Sequence, residues 1–124
     1  MQQPDQPYSV FDSHCPARQF FERLADKWTL LIIGQLRHGP VRFNQLRRSV
    51  DGITQKVLSQ TLKKLERDGL IARQVFATVP VTVEYSLTGL GCTLVETFER
   101  LAFWAESNIE EIIAAQKRYD VQQA

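Results

Sequence analysis

Apolar residues recur at helical spacing over most of the chain and give way once, past the middle, to runs rich in β-branched and aromatic residues. The clearest helix is predicted from about residue 55 to 68, where Leu58, Leu62 and Leu65 recur at i, i+4 and i+7. Both of its ends are marked. Asp51-Gly52 is a turn dipeptide, Thr54 suits the N-cap, and Ile53 is placed to staple onto Leu58. Beyond the last turn Gly69 suits the left-handed position, and Leu70 can reach back to Leu65. Residues 43 to 50 form a shorter helix ahead of it, with Phe43, Leu46 and Val50 inward. Residues 70 to 77 and 82 to 87 follow as two strands joined through Thr78-Val79-Pro80-Val81.

The flanks complete the pattern. Residues 1–13, with Pro4 and Pro7, read as a flexible arm whose Tyr8 and Phe11 are free to dock elsewhere. Cys15-Pro16 opens a short helix with Phe20, Phe21 and Leu24 on its apolar side, proline taking the N1 position it favours. Asp26 is expected to cap a second helix in which Trp28, Leu31, Ile32 and Leu36 form a stripe, widened by Leu30 and Ile33. Gly39-Pro40 ends it, and Val41-Arg42 can add a third strand beside the hairpin. Thr88 caps a last helix running over about 88–119. In it Leu94, Phe98, Leu101, Ala105, Ile109 and Ile112 recur at spacings of 4, 3, 4, 4 and 3. A helix of about 30 residues is about 45 Å long, more than so small a domain can cover. Its far half therefore asks for another chain, and Phe98, Leu101, Ala105, Ile109, Ile112 and Ile113 are the expected dimer interface. The expected fold is mainly α with a small β-hairpin, a winged helix-turn-helix with a long C-terminal dimerisation helix. One domain over 14–119 includes that helix, and 120–124 is a tail.

Charge sharpens the picture. Between Arg37 and Phe76 there are nine Lys and Arg residues against three acids, a net of +6 in a chain whose total is +1. From Glu84 onward the net is −4, and over the first 36 residues it is −1. A solvated surface normally mixes signs, so a basic middle confined to a helix-turn-helix and hairpin points to double-stranded DNA, read by the second helix in the major groove. The candidate DNA-binding residues are Arg42, Arg47, Arg48, Thr54, Gln55, Lys56, Ser59, Gln60, Lys63, Lys64, Thr78 and Thr82. Amides pair bidentately with adenine and lysine reaches guanine, while the remaining groups suit phosphates.

Other chemistries are poorly supported. No Gly-rich phosphate loop, metal triad or nucleophile with a base at useful spacing is present, so an enzyme is not expected, nor a cofactor or a metal. No apolar run approaches the roughly 20 residues of a membrane span, and the start of the chain has no basic or apolar leader pattern, so a cytoplasmic location is expected. A winged-helix module that binds protein stays open, although it needs no +6 segment. Two cysteines are too few for a disulfide scaffold. Cys15, at the N-cap of a helix, sits where the dipole favours a thiolate and suits a redox-sensing thiol; the alternative is that it packs as a small apolar residue. Cys92, beside Leu90, Leu94 and Val95, is expected to be buried and inert.

The chain resembles the HxlR-type winged-helix transcriptional regulators of bacteria. The resemblance rests on C-P at 15–16, D-K-W-T-L-L-I-I at 26–33, G-P-V-R-F-N-Q-L-R-R at 39–48, G-I-T-Q-K-V-L-S-Q-T-L-K-K-L-E-R-D-G-L at 52–70 and V-P-V-T-V-E-Y-S-L-T at 79–88. It implies a homodimer built by terminal helices on a palindromic operator, and in many members a thiol switch at the cysteine of the C-P motif. A ligand-responsive regulator without a thiol switch is the alternative. Two positions depart from the family pattern. Members often carry V-P-P-R at the wing tip, where this chain has Val81 and Thr82, and T-P-L-G before the last helix, where it has Gly89. Contacts from Thr78 and Thr82 then replace an arginine, and the last helix starts without the preset φ of proline.

Overall fold

The computed structural model describes residues 7–124. In chain order its elements are α1 (Pro16–Leu24), α2 (Thr29–Gln35), β1 (Val41–Arg42), α3 (Phe43–Ser49), α4 (Gln55–Arg67), β2 (Ile71–Phe76), β3 (Thr82–Leu87) and α5 (Gly89–Gln123). The strands form one antiparallel sheet in the order β1-β3-β2, with Arg42 opposite Glu84 and the β2–β3 ladder running from Ile71↔Leu87 to Phe76↔Thr82. This is the expected winged helix-turn-helix with its long terminal helix, which ends at Gln123 rather than near residue 119. No helix among the described residues is long and apolar enough to cross a membrane.

The core gathers Ile32, Ile33 and Leu36 of α2, Leu46 of α3, Leu58, Leu62 and Leu65 of α4, Ile71 and Tyr85 of the sheet, and Val95 of α5. Three local expectations are corrected. The buried stripe of α2 is Thr29, Ile32, Ile33 and Leu36, which leaves Leu31 on the opposite side and 46% exposed. Asp26 does not cap that helix. Trp28 holds the N-cap position, and Asp26 instead accepts a hydrogen bond from the Thr29 hydroxyl at 3.4 Å. On α1 Phe20 packs against the core but Phe21 turns away from it, because a single-sided contact with α2 needs only one face of so short a helix.

The expected arm falls partly outside the described residues, at 1–6. From Ser9 to Cys15 the chain is turned rather than loose: the Asp12 N–H donates to the Ser9 carbonyl, the Cys15 N–H to the Asp12 carbonyl, and the Ser9 N–H to the Cys15 sulfur at 3.4 Å. Arg18 adds a bond from its guanidinium to the Val10 carbonyl.

The end of α4 is where the elements meet. Gly69 adopts φ 78°, and the N–H groups of Gly69 and Leu70 return to the carbonyls of Glu66 and Leu65, closing the helix with the Schellman pattern. Both outward carbonyls of this corner are then used by the start of α5. The Thr88 N–H donates to Leu70 at 3.0 Å, and its hydroxyl donates to Gly69 at 2.6 Å while accepting from the Gly91 N–H. Asp68, the C-cap residue, is paired with Arg23 at the end of α1. Gly91 is pressed so closely on this corner that a Cβ there would run into the Leu70 carbonyl oxygen, whereas nothing lies within 4 Å of a Cβ added at Gly89.

Those two glycines separate two kinds of substitution. Gly91→Ala should destabilise the fold by about 2–3 kcal/mol, because a backbone atom cannot move aside as a flexible side chain would. Gly89→Pro, at the first position of α5, should stabilise it by about 0.4–1 kcal/mol by restricting the unfolded chain. Urea unfolding midpoints of both variants check the pair, and equal midpoints would contradict it.

Candidate nucleic-acid interface

Helix α4 buries Leu58, Thr61, Leu62 and Leu65 and presents the opposite side to solvent. Thr54 starts it by accepting from the Val57 N–H at 3.2 Å. Thr61, whose hydroxyl donates to the Val57 carbonyl, lets a polar residue share the buried face without an orphaned group. Lys56, Gln60, Lys63 and Arg67 follow one another at helical spacing along the outward stripe, all exposed. Gln55 and Ser59 flank it. Lys64 lies one position past Lys63, about 100° round the helix and off the stripe. The acids near the end of this helix are tied up elsewhere: Glu66 faces Arg73 of β2 at 3.7 Å and Asp68 pairs with Arg23. Among the described residues no acid pairs with Lys56, Lys63, Lys64 or Arg67, so the stripe keeps its positive charge.

The wing stands beside this helix. Ser59, Lys63, Glu66, Arg73 and Tyr85 line a narrow cleft of about 220 Å³ between α4 and the hairpin. The Tyr85 phenol in it is held above the ordinary tyrosine range, chiefly by burial, with Arg73 opposing and Glu66 assisting the shift. A wider groove of about 900 Å³ opens between the helices and the hairpin tip, with Arg42, Asn44, Gln45 and Arg48 on one side and Pro80 to Val83 on the other. Arg42, Arg48, Ser59 and Thr82 of the candidate set thus line one groove, while Thr78 lines a separate hollow of about 420 Å³ with Phe76, Val79 and Glu84. Arg47 is exposed on α3 and donates to the Gln55 amide oxygen at 3.4 Å, linking the two helices. Asn44 and Gln45 were not anticipated from the sequence. The signal available was a polar first turn directly after Arg42, which gains meaning only when the wing folds over it.

The remaining candidates lie away from this face. Leu101, Ala105, Ile109 and Ile113 on α5 are exposed, Ile112 is half-buried, and Phe103 and Trp104 add further bare aromatic surface at 71% and 57% exposure. Phe98, half-buried, lays its ring over Gly34 of α2, where no Cβ fits. Of the two cysteines, Cys15 is buried, as its packing alternative had it, and the expected burial of Cys92 is corrected. Cys15 is buried at 8% exposure under the turn that starts at Ser9, while Cys92 is exposed, since the first turn of α5 sends Gly91 and Val95 inward and Cys92 out.

The chain matches the model of the HxlR-like helix-turn-helix over residues 23–113. The HTH-type transcriptional regulator YtfH of Escherichia coli (strain K12) is 41% identical over 106 residues, which are 86% of this chain and 84% of that protein. Among solved structures, ytfH of Salmonella typhimurium, described as a candidate transcriptional regulator, superposes with a TM-score of 0.84 at 37% identity, covering 89% of this chain and 98% of that one. The redox regulator HypR in its reduced form superposes with a TM-score of 0.73 at 35% identity, covering 80% and 98%.

Proposed function

The chain belongs to the HxlR-like helix-turn-helix family of transcriptional regulators, and from that premise we propose that it binds a palindromic operator in double-stranded DNA as a homodimer. The observation that carries this reading is the outward stripe of α4, cationic and amide-bearing, with the neighbouring acids Glu66 and Asp68 engaged by Arg73 and Arg23. Gln55, Lys56, Ser59 and Gln60 read base edges in the major groove, while Arg42, Arg47, Arg48, Lys63, Lys64, Thr54, Thr78 and Thr82 hold the phosphates. Dimerisation is supported by the far half of α5. A lone projecting helix is marginal in water, and its apolar stripe of Leu101, Ala105, Ile109, Ile112 and Ile113 has no partner among the described residues. Two-fold pairing through it sets the α4 helices about 34 Å apart, one turn of the duplex.

Cys15 is the proposed site of oxidation or electrophile modification. Its sulfur accepts from the Ser9 N–H and it forms the N-cap of α1, so an adduct must displace the turn that covers it. Arg23, at the other end of α1, holds the C-cap of α4, which gives a physical route from thiol to reading helix. A second reading, control by a ligand, is favoured by one feature. A cleft of about 410 Å³ opens between α1, the end of α4 and α5, lined by Phe20, Asp68, Leu70, Leu90 and Leu94.

Three outcomes are expected. In gel-shifts on duplexes selected from a random pool, Gln60→Ala should relax sequence preference. Lys63→Ala or Arg48→Ala should weaken all duplexes alike and lower the salt slope by about one unit; indistinguishable effects would refute this division of roles. For the assembly, Leu101→Glu with Ile109→Glu should sediment as a monomer with much weaker operator binding, and a variant that stays dimeric would place the interface elsewhere. For the thiol, an oxidant should change the shift of wild type and Cys92→Ser but not of Cys15→Ser. A response retained in Cys15→Ser removes the switch, and the absence of any response in wild type favours the ligand cleft.

A further inference from the structure

Where the sheet faces α4, its inner surface stops being apolar. Arg73 and Tyr85 stand opposite one another in the β2–β3 ladder, so their side chains share a face. The pair one step along that face, Ile71 and Leu87, is apolar, and Ile71 is buried. Across from Arg73 and Tyr85, α4 supplies Ser59, Lys63 and Glu66, and these five residues line the cleft of about 220 Å³. Pockets for drug-sized molecules begin at roughly 300 Å³. This one has the size for an ion.

Its charge is not balanced from within. Two cations, Lys63 and Arg73, meet one carboxylate, and Glu66 stands 3.7 Å from the Arg73 guanidinium, beyond the roughly 2.7–2.9 Å of a charge-assisted hydrogen bond. Lys63 pairs with no acid among the described residues. Tyr85 is 9% exposed, yet its hydroxyl makes no hydrogen bond to the described residues and opens to the cleft. Because burial holds the phenol above its ordinary range, it is a neutral O–H donor at physiological pH, and it lacks an acceptor within the fold. Ser59 and Tyr85 also line the wider groove whose wall carries Arg42 and Arg48. A phosphate strand that follows that wall arrives at the cleft.

Resting on the operator-binding reading above, we propose that the cleft seats one backbone phosphate of each half-site, the Tyr85 hydroxyl donating to a non-bridging oxygen between Arg73 and Lys63. The chemistries match: a phosphodiester brings one negative charge and only acceptors, and the cleft offers one net positive charge and only one competing acid. Phosphate contacts fix register rather than sequence. Tyr85 therefore sets where along the strand the protein sits.

The test uses the full chain and a duplex selected by it from a random pool. Tyr85→Phe removes one oxygen and keeps the ring, so the urea midpoint should not move. Binding should weaken about tenfold on every duplex, as for a lost hydrogen bond to a charged group, with the wild-type salt slope because the phenol is neutral. Arg73→Gln should instead lower that slope by about one unit. Methylphosphonate, which replaces one non-bridging oxygen with a methyl group, is then walked along the duplex. At one position per half-site wild type should lose about tenfold and Tyr85→Phe nothing further, while elsewhere both lose alike. Parallel profiles at every position would overturn the seat, as would unchanged binding by Tyr85→Phe. Inorganic phosphate, with ionic strength matched by chloride, should not displace the duplex; displacement from wild type but not from Tyr85→Phe would overturn the backbone as the source and give the cleft to a free anion. If wild type selects no duplex at all, the operator-binding reading fails, an outcome distinct from a duplex bound with no position at which Tyr85 matters.

Discussion

The corner at Asp68, Gly69 and Leu70 is the constraint on which the rest of the structure depends. It ends α4, starts the sheet, and supplies the carbonyls that fix the first turn of α5. Asp68 also takes the guanidinium of Arg23, so α1 is fastened to the same three residues. Closing a helix with a left-handed glycine turns the next carbonyls outward; here they become the seat of another helix instead of being left to water. The requirement for Gly91 follows directly, since only a residue without a side chain lets α5 approach near enough for the Thr88 bonds to form.

The sequence signals that proved legible are the ones whose physics is local. Caps at Thr54 and Thr88, the turn at Asp51-Gly52, the stop at Gly69, and the stripe of Leu58, Leu62 and Leu65 each depend on residues within a turn or two of one another. That is why the order of elements and helix α4 were available from spacing alone. What escaped depends on distant chain. The burial of Cys15 needs the turn from Ser9 to fold back over it, and the exposure of Cys92 follows from the choice of Gly91 as the inward residue of α5. Leu31 was misassigned because α2 is apolar almost all round, and only its neighbours decide which side is the core. The seat of the Phe98 ring on Gly34 was hidden too, because glycine carries no apolar signal of its own. The groove containing Asn44 and Gln45 exists only because the hairpin passes over it.

The charge pattern has a structural logic beyond its total. A net of +6 gathered within 40 residues repels itself, and acids left free on the same face would relieve that. The two acids at the end of α4 instead hold α1 and β2 in place, so the same ion pairs that fasten the fold also clear negative charge from the outward stripe. Of the two, only the Glu66–Arg73 pair is exposed, and such a pair contributes little to stability by itself, whereas Asp68 is largely covered. Their larger effect is on the field around the helix.

The bare stripe along the far half of α5 has one more consequence, for how the protein behaves as its amount changes. In the homodimer proposed above, a helix about 52 Å long whose outer turns lie beyond the core would draw its order from pairing rather than from its own chain. Folding of that segment and association then become one equilibrium, and the stability measured for it rises with protein concentration. In the dilute regime the paired form grows as the square of the chain concentration, so halving the chain cuts the paired species about fourfold. If the proposed dimer is the operator-binding form, the apolar face of one helix would make occupancy of a regulated site a steep function of synthesis and degradation, before any signal acts on the protein.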